Sequence, residues 1–304
     1  RGRLAKAFVR GALRLPPHGG GEPELPAGYP TLGTRLAAAG YTVVYKGKWH
    51  LTQPLAGGHA WGAPDAERLG RDHGFSGWEP PDSGENAKAE HFGGGNAGPL
   101  AEGFDEFYTR QAEAFLGQER LPEPFCLIVS LVNPHDVLGY PSTYAAGGYD
   151  RDDFADLDVP LPPTLDERLV NKPSVQALMR LGQTSYLGPL RGRQAQRDYV
   201  AFYAHLHRLV DRKIGRIVAA LGDAADPGSL RSRTVVARFS DHGELGLSHG
   251  GLRQKMFNAY EETLRVPFVL SNPLLFPEPV ETNSATTLAD LVPTLLDLAG
   301  VPAE

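Results

Sequence analysis

The stretch Arg238-Phe-Ser-Asp-His-Gly-Glu-Leu-Gly-Leu-Ser-His-Gly250 decides the fold, because the β-prone run Thr234-Val-Val-Ala237 leads into it and ends abruptly at Asp241 and His242. Gly243 lets the backbone turn sharply at that point. Open α/β sheets present ligands in this way, on the loop just past the carboxyl end of a strand. Two other segments repeat the pattern. Thr42-Val-Val-Tyr45 runs into Lys46-Gly-Lys-Trp-His-Leu51, and Phe125-Cys-Leu-Ile-Val-Ser-Leu-Val132 runs into Asn133-Pro-His-Asp136. Three strands that each deliver His with Lys or Asp at their ends point to one site assembled at one edge of a sheet.

Outward from these strands, Thr31–Ala39 reads as a short helix capped by Thr31 and stopped by Gly40. Gly57 to Gly103 is rich in Gly, Pro, Asp and His and reads as a long irregular excursion facing substrate. Tyr140–Pro189 is a second irregular, Pro-rich segment. Pro124–Val132 is continuously apolar, as expected of a strand covered on both faces. Gln194–Leu221 carries apolar residues at three- and four-residue steps and is the longest expected helix. Arg265–Ser271 is a further strand, with Pro267 marking an edge or a strand start. Thr286–Ala299 closes the chain as an amphipathic helix ending at Gly300. Helices alternating with buried strands predict an α/β fold, a mostly parallel central sheet flanked by helices.

Bulk properties narrow the function. With 304 residues, 41% hydrophobic and 22% charged, the chain is long enough for a sizeable core and falls in the globular class. A net charge of -6 without a long basic stripe disfavours nucleic acid as a partner. The apolar runs are too short to make a transmembrane segment. The single Cys126 excludes an internal disulfide and any cysteine-cluster metal site, and its apolar neighbours predict a buried, unreactive thiol. Position 1 is Arg, and no signal peptide is visible, so localisation is not legible.

Each motif alone is also ordinary turn chemistry: Asp241-His242 can cap a turn, and Asn-Pro with Asp is a common turn former. Lys48 and His50 project to the same side if the backbone stays extended. Taken together, Lys46-Gly-Lys-Trp-His-Leu51, Asn133-Pro-His135, Ser240-Asp-His-Gly-Glu244, His249-Gly250, Lys255 and Tyr260-Glu-Glu-Thr-Leu-Arg-Val-Pro267 stand in the order and spacing of the sulfatase family. That family belongs to the alkaline-phosphatase-like superfamily, and the resemblance runs from about Leu25 to Pro302. It implies sulfuric ester hydrolysis of a small-molecule or sugar sulfate. By the same resemblance, Lys48 and His50 match residues that hold the sulfate and the nucleophile's oxygens. His135 matches the histidine beside the leaving-group oxygen, and Lys255 matches a second lysine on the bridging oxygen. Asp241 and His242 match a metal-binding pair, with Ca²⁺ the usual ion and Mn²⁺ or Mg²⁺ as alternatives.

The residue types suit that chemistry. Sulfuryl transfer moves negative charge onto the bridging oxygen, and fixed cations stabilise that charge more than water does. His135 can donate a proton near neutral pH, and Asp241 is a hard oxygen ligand. One departure from the family pattern matters: the Cys/Ser-x-Pro-x-Arg motif that carries its formylglycine nucleophile is absent from these 304 residues. The expectation is therefore a single truncated sulfatase-type catalytic domain over 1–304, with 1–30 an irregular remnant and the small C-terminal subdomain missing, itself without turnover. The alternatives are a phosphodiesterase or phosphonate monoester hydrolase of the same superfamily, or an inactive anion-binding remnant. Oligomeric state is not legible. Trp49 is expected to pack behind its loop, and Glu244 to support its own. His249 divides evenly between structure and substrate binding. His59, His73 and His91 are expected in solvated loops, and Glu261 and Glu262 beside Arg253 or Arg265.

Overall fold

The structure, a computed structural model, describes residues 24–58, 60–83, 88–94 and 102–301. Helix α1 (Leu32–Ala38) begins at Thr31, whose hydroxyl accepts from the Thr34 amide at 3.0 Å while the Thr34 hydroxyl accepts from the Thr31 amide at 2.9 Å. This reciprocal cap satisfies two amides that the helix itself leaves without partners. Strand β1 (Thr42–Gly47) follows at once, made of β-branched and aromatic residues.

The excursion expected after Gly57 contains a helix, α2 (Ala63–His73), with Pro64 in its first turn and Gly74 closing it in the left-handed conformation. Its apolar positions are too few for periodicity to show. His73, expected in solvent, is buried at its end beside Trp49. His59 lies outside the described residues.

Helix α3 (Phe104–Leu116) leads into β2 (Phe125–Ser130), which pairs parallel with β1 from Thr42↔Phe125 to Gly47↔Ser130. All six β2 residues are half-buried rather than enclosed on both faces, since among the described residues β2 pairs with β1 alone. Cys126 is half-buried too, and loss of water around it pushes its thiol up to about 11, in keeping with an unreactive role.

The Pro-rich stretch after Tyr140 holds another helix, α4 (Ser174–Leu187), which the sequence pattern concealed. It turns Gln176 and Gln183 inward and leaves Leu178, Leu181 and Tyr186 exposed, so its period points the wrong way. The long helix α5 (Gly192–Ala219) is as expected, within two residues at each end. It buries Tyr199, Phe202 and Leu206 against Tyr140, Tyr149, Phe154 and Leu247. Each of these large side chains contributes about 1.5–3 kcal/mol of apolar burial. A second contact joins α5 to α3, where Arg216 donates to Glu113 at 2.6 and 2.9 Å.

Strand β3 (Val236–Phe239) pairs with β4 (Phe268–Ser271) from Val236↔Ser271 to Phe239↔Phe268. This pair is antiparallel, so the parallel arrangement holds for β1 and β2 while β4 reverses direction after the one-turn helix α6 (Glu261–Leu264). Pro267 sits just before β4, as a strand start should. Val236 shares an apolar cluster with Val44, Leu127, Phe115 and Ile217, which ties both sheets to α3 and α5. Helix α7 (Leu291–Leu298) ends the described chain and packs on α1.

Candidate active site

At the end of β1 the chain approaches β2 so closely that a Cβ on Gly47 would lie 2.1 Å from the Ser130 carbonyl oxygen. Gly47 also has φ +119°, a conformation that only glycine adopts without strain. The Lys48 amide donates to the same Ser130 carbonyl at 2.9 Å, so the first residue after β1 is bound to the end of β2. From there the backbone leaves the extended form. His50 has φ 51°, and Lys48 and His50 therefore do not lie on one face of an extended strand as expected.

What holds this turn is Asp82, 33 residues downstream of Trp49 and only 6% exposed. Its carboxylate accepts the amides of Trp49, His50 and Ser83, each at 2.9 Å. Nothing in the turn-rich Pro80-Pro-Asp-Ser83 marked it as a site residue. Trp49 packs edge-on against Tyr45 and Phe75 and donates to Thr52 at 2.9 Å, the packing role expected of it. Lys46 is buried and spent on the Gly77 carbonyl and Glu79.

The end of β2 is braced in the same manner. Asp105, at the start of α3, accepts the amides of Val132 at 2.6 Å and Asn133 at 3.1 Å, and burial raises its carboxyl above the usual range. Asp136, expected as a turn former, is wholly buried. It accepts from Gly93 at 3.1 Å, Gly94 at 3.0 Å and the Tyr149 hydroxyl at 2.5 Å. Burial pushes its carboxyl up to about 7. His135 stands between these two carboxylate-braced positions, half-buried, at the first residue of a 3₁₀ turn (His135–Gly139). Because β1 and β2 are parallel and in register, Lys48, His50 and His135 leave the sheet from the same edge.

The loop after β3 is open by contrast. The Asp241 side chain is 82% exposed, and its Oδ2 lies 3.3 Å from His242 Nε2. His242 Nδ1 is 2.9 Å from the Gly243 carbonyl, so the ring is held between that carbonyl and the Asp241 carboxylate. Tyr45 relates this loop to the others. Its hydroxyl donates to the Lys48 carbonyl at 2.5 Å, and its phenol is raised chiefly by burial, with the charges of Asp82 and Asp241 adding to the effect.

Glu244 links the Asp241 loop to Lys255, in the supporting role expected of it. Its Oε1 accepts from the Tyr199 hydroxyl at 2.8 Å and from the Gln254 amide, next to Lys255, at 2.7 Å. His249 is placed structurally: Nδ1 faces Glu167 at 2.8 Å, Nε2 faces Glu262 at 3.1 Å, and the ring stacks on Tyr260 with centroids 3.6 Å apart. Glu262 is thus taken by His249 rather than by Arg253 or Arg265. Arg253 is buried and donates to the carbonyls of Gln183 at 3.0 Å and Gly188 at 2.8 Å.

The family model named Sulfatase matches residues 9–301. The chain belongs to the sulfatase family. It is 29% identical over 294 residues to a Delta 4,5-hexuronate-2-O-sulfatase of Bacteroides thetaiotaomicron, covering 92% of this chain and 53% of that protein. It is 28% identical over 203 residues to arylsulfatase K of Gallus gallus, covering 64% of this chain and 36% of that protein. Among solved structures it resembles a 2-O GAG sulfatase with a TM-score of 0.63 and 27% identity, over 93% of this chain and 55% of that one. A phosphonate monoester hydrolase of Agrobacterium radiobacter shares the fold at a TM-score of 0.57 and 21% identity, over 91% and 59% of the two chains. The fold of this sulfatase-family chain is alkaline-phosphatase-like, and the chain spans about half the length of the curated relatives it matches.

Proposed function

We propose that this chain supplies the binding and proton-transfer half of a sulfatase site acting on a sulfated saccharide. Lys48 and His50 hold the sulfate oxygens, His135 gives its proton to the departing sugar oxygen, and Lys255 steadies the charge growing on that bridging oxygen. The reading is carried by the in-register parallel pairing of β1 and β2, which sets Lys48, His50 and His135 at one sheet edge. Two fixed cations and a proton donor around one leaving group make sense as transition-state stabilisers, since that is where charge accumulates. The substrate reading follows the hexuronate-2-O-sulfatase of Bacteroides thetaiotaomicron, with which 92% of this chain aligns.

Sulfatases generally use a divalent metal and a formylglycine. Asp241 and His242 fit a metal as a pair of donors, a hard carboxylate oxygen with an imidazole nitrogen 3.3 Å away. Among the described residues no group of three or more His, Cys, Asp or Glu side chains forms a fuller cage. A divalent cation held by Asp241 and His242 would neutralise sulfate charge. The Cys/Ser-x-Pro-x-Arg motif is not among the 304 residues, so the roles proposed for Lys48, His50, His135 and Lys255 are binding and proton transfer.

Calorimetric titration with a 2-O-sulfated Δ4,5-uronide, in wild type and Lys48→Ala, tests the reading. Loss of one charge-assisted contact predicts roughly a tenfold or greater weakening. Hydrolysis should be absent from this chain and appear once the nucleophile motif is joined to it. Unchanged affinity in the variant, or tighter binding of a phosphodiester than of the sulfate ester, would replace this assignment with the phosphonate-hydrolase reading that the second structural likeness supports.

A further inference from the structure

The cavity that opens beside the Asp241 loop is not explained by sulfate chemistry. It measures about 420 Å³ and lies between Leu165–Val170, Arg180 of α4, Gln196 of α5 and the Gly250–Gly251 turn. That is within the size range of small-ligand sites. The floor belongs to the site loop itself, because Gly250 follows His249 and lies five residues before Lys255.

The charges lining this cavity are unbalanced. Asp166 is paired with Arg193. Glu167 is held on both sides, by Lys172 at 2.8 Å and by His249 at 2.8 Å. Both acids are thereby neutralised. Among the described residues, Arg168 and Arg180 have no carboxylate partner. Arg180 is nevertheless oriented, since its Nη1 donates to the Gly250 carbonyl at 3.1 Å and leaves the remaining guanidinium N–H groups for a ligand. A locally positive cavity is not what a chain of net charge -6 yields by default.

The wall is also rigidly held. The amides of His249 and Gly250 donate to the Thr164 hydroxyl and carbonyl, at 3.0 and 2.9 Å. A Cβ at Gly250, where φ is +79°, would come within 2.6 Å of the Glu167 carbonyl oxygen, so the close approach of turn and wall depends on glycine. Leu169 and Val170, the latter 85% exposed, add apolar surface of the kind on which a sugar ring rests.

We infer that this cavity is a second anion subsite, in which Arg180 and Arg168 receive the carboxylate of an acidic sugar of the bound saccharide. A guanidinium fork matches a carboxylate with two parallel hydrogen bonds, and a neutral sugar offers no such partner. The inference rests on the saccharide reading of the site, but binding at the cavity requires no bond cleavage.

The test is calorimetry on the 304-residue chain with an unsulfated disaccharide of glucuronate and N-acetylglucosamine, and with the same disaccharide after its carboxyl is reduced to an alcohol. Wild type should bind the acid roughly tenfold more tightly than the alcohol, and Arg180→Gln or Arg168→Gln should each remove most of that preference. Both arginines are exposed, so the variants should keep wild-type circular dichroism. Arg71→Gln, a distant exposed arginine, should bind like wild type. Equal binding of acid and alcohol, no detectable binding, or equal losses in Arg71→Gln would overturn the subsite. So would a loss seen in Lys48→Ala but not in the two arginine variants, which would place the probe in the sulfate site. Binding of inorganic sulfate, read in Lys48→Ala, reports separately on the primary site.

Discussion

The ends of β1 and β2 differ sharply from the loop after β3. The first two are fastened by buried carboxylates: Asp82 holds three amides under Lys48 and His50, and Asp105 and Asp136 hold the segment around His135. In the loop after β3, Asp241 stands 82% exposed, with the ring and the backbone amide of His242 as its polar partners. Groups that hold an anion must be fixed before it arrives, because reorganising them would consume the stabilisation they offer. Exposure leaves the Asp241 carboxylate largely hydrated.

The comparison can be broken most severely at Gly47. Gly47→Ala forces a side chain against the Ser130 carbonyl in a left-handed conformation, and should cost roughly 4 kcal/mol or abolish folding, read by urea denaturation. Asp82→Ala leaves three amides without acceptors and should cost about 3 kcal/mol. A loss below about 0.5 kcal/mol would show that the first turn is no better fastened than a surface loop.

Asp136 sharpens the contrast through pH. Its folded carboxyl lies at about 7 against an ordinary 3.8, so the folded protein binds the proton more tightly than the unfolded chain. Stability contributed by this group is complete below the ordinary value. It is lost as pH rises from about 4 to about 7, with a slope of at most about 1.4 kcal/mol per pH unit. Asp136→Asn should flatten that part of the stability curve. A curve of unchanged slope would remove the claim that the buried acid titrates there.

The smallest effect belongs to the open loop. Asp241→Ala should change stability by less than about 0.5 kcal/mol while removing any rise in melting temperature that CaCl₂ produces in wild type. A large destabilisation without calcium would mean that this loop, too, is structurally fastened.

Legibility followed the same division. The candidate residues Lys48, His50, His135, Asp241, His242 and Lys255 were readable because chemistry-bearing side chains cluster just after apolar runs, a signal local in sequence. Asp82, Asp105 and the part played by Asp136 were not readable. Each acts on amides that are 27 to 43 residues distant, and nothing in its own neighbourhood records which amide it meets. Helices α2 and α4 escaped for another reason. Their inward faces hold His73 and Asp65, or Gln176 and Gln183, so hydrophobic period says little about where they turn. The long helix α5 was plain, because its apolar face is wide and all of it meets one aromatic core.

Composition, strand-end motifs and their order were enough to place the chain in an α/β class and to nominate candidate site residues, since backbone preference and residue chemistry act over a few neighbours. Only the tertiary structure decided that β4 runs antiparallel, that His249 is locked between Glu167 and Glu262, and that Arg168 and Arg180 face one cavity with their neighbouring acids already neutralised. Those outcomes depend on which distant groups share a dry or crowded space, and distance in space is a property that the linear order of residues does not carry.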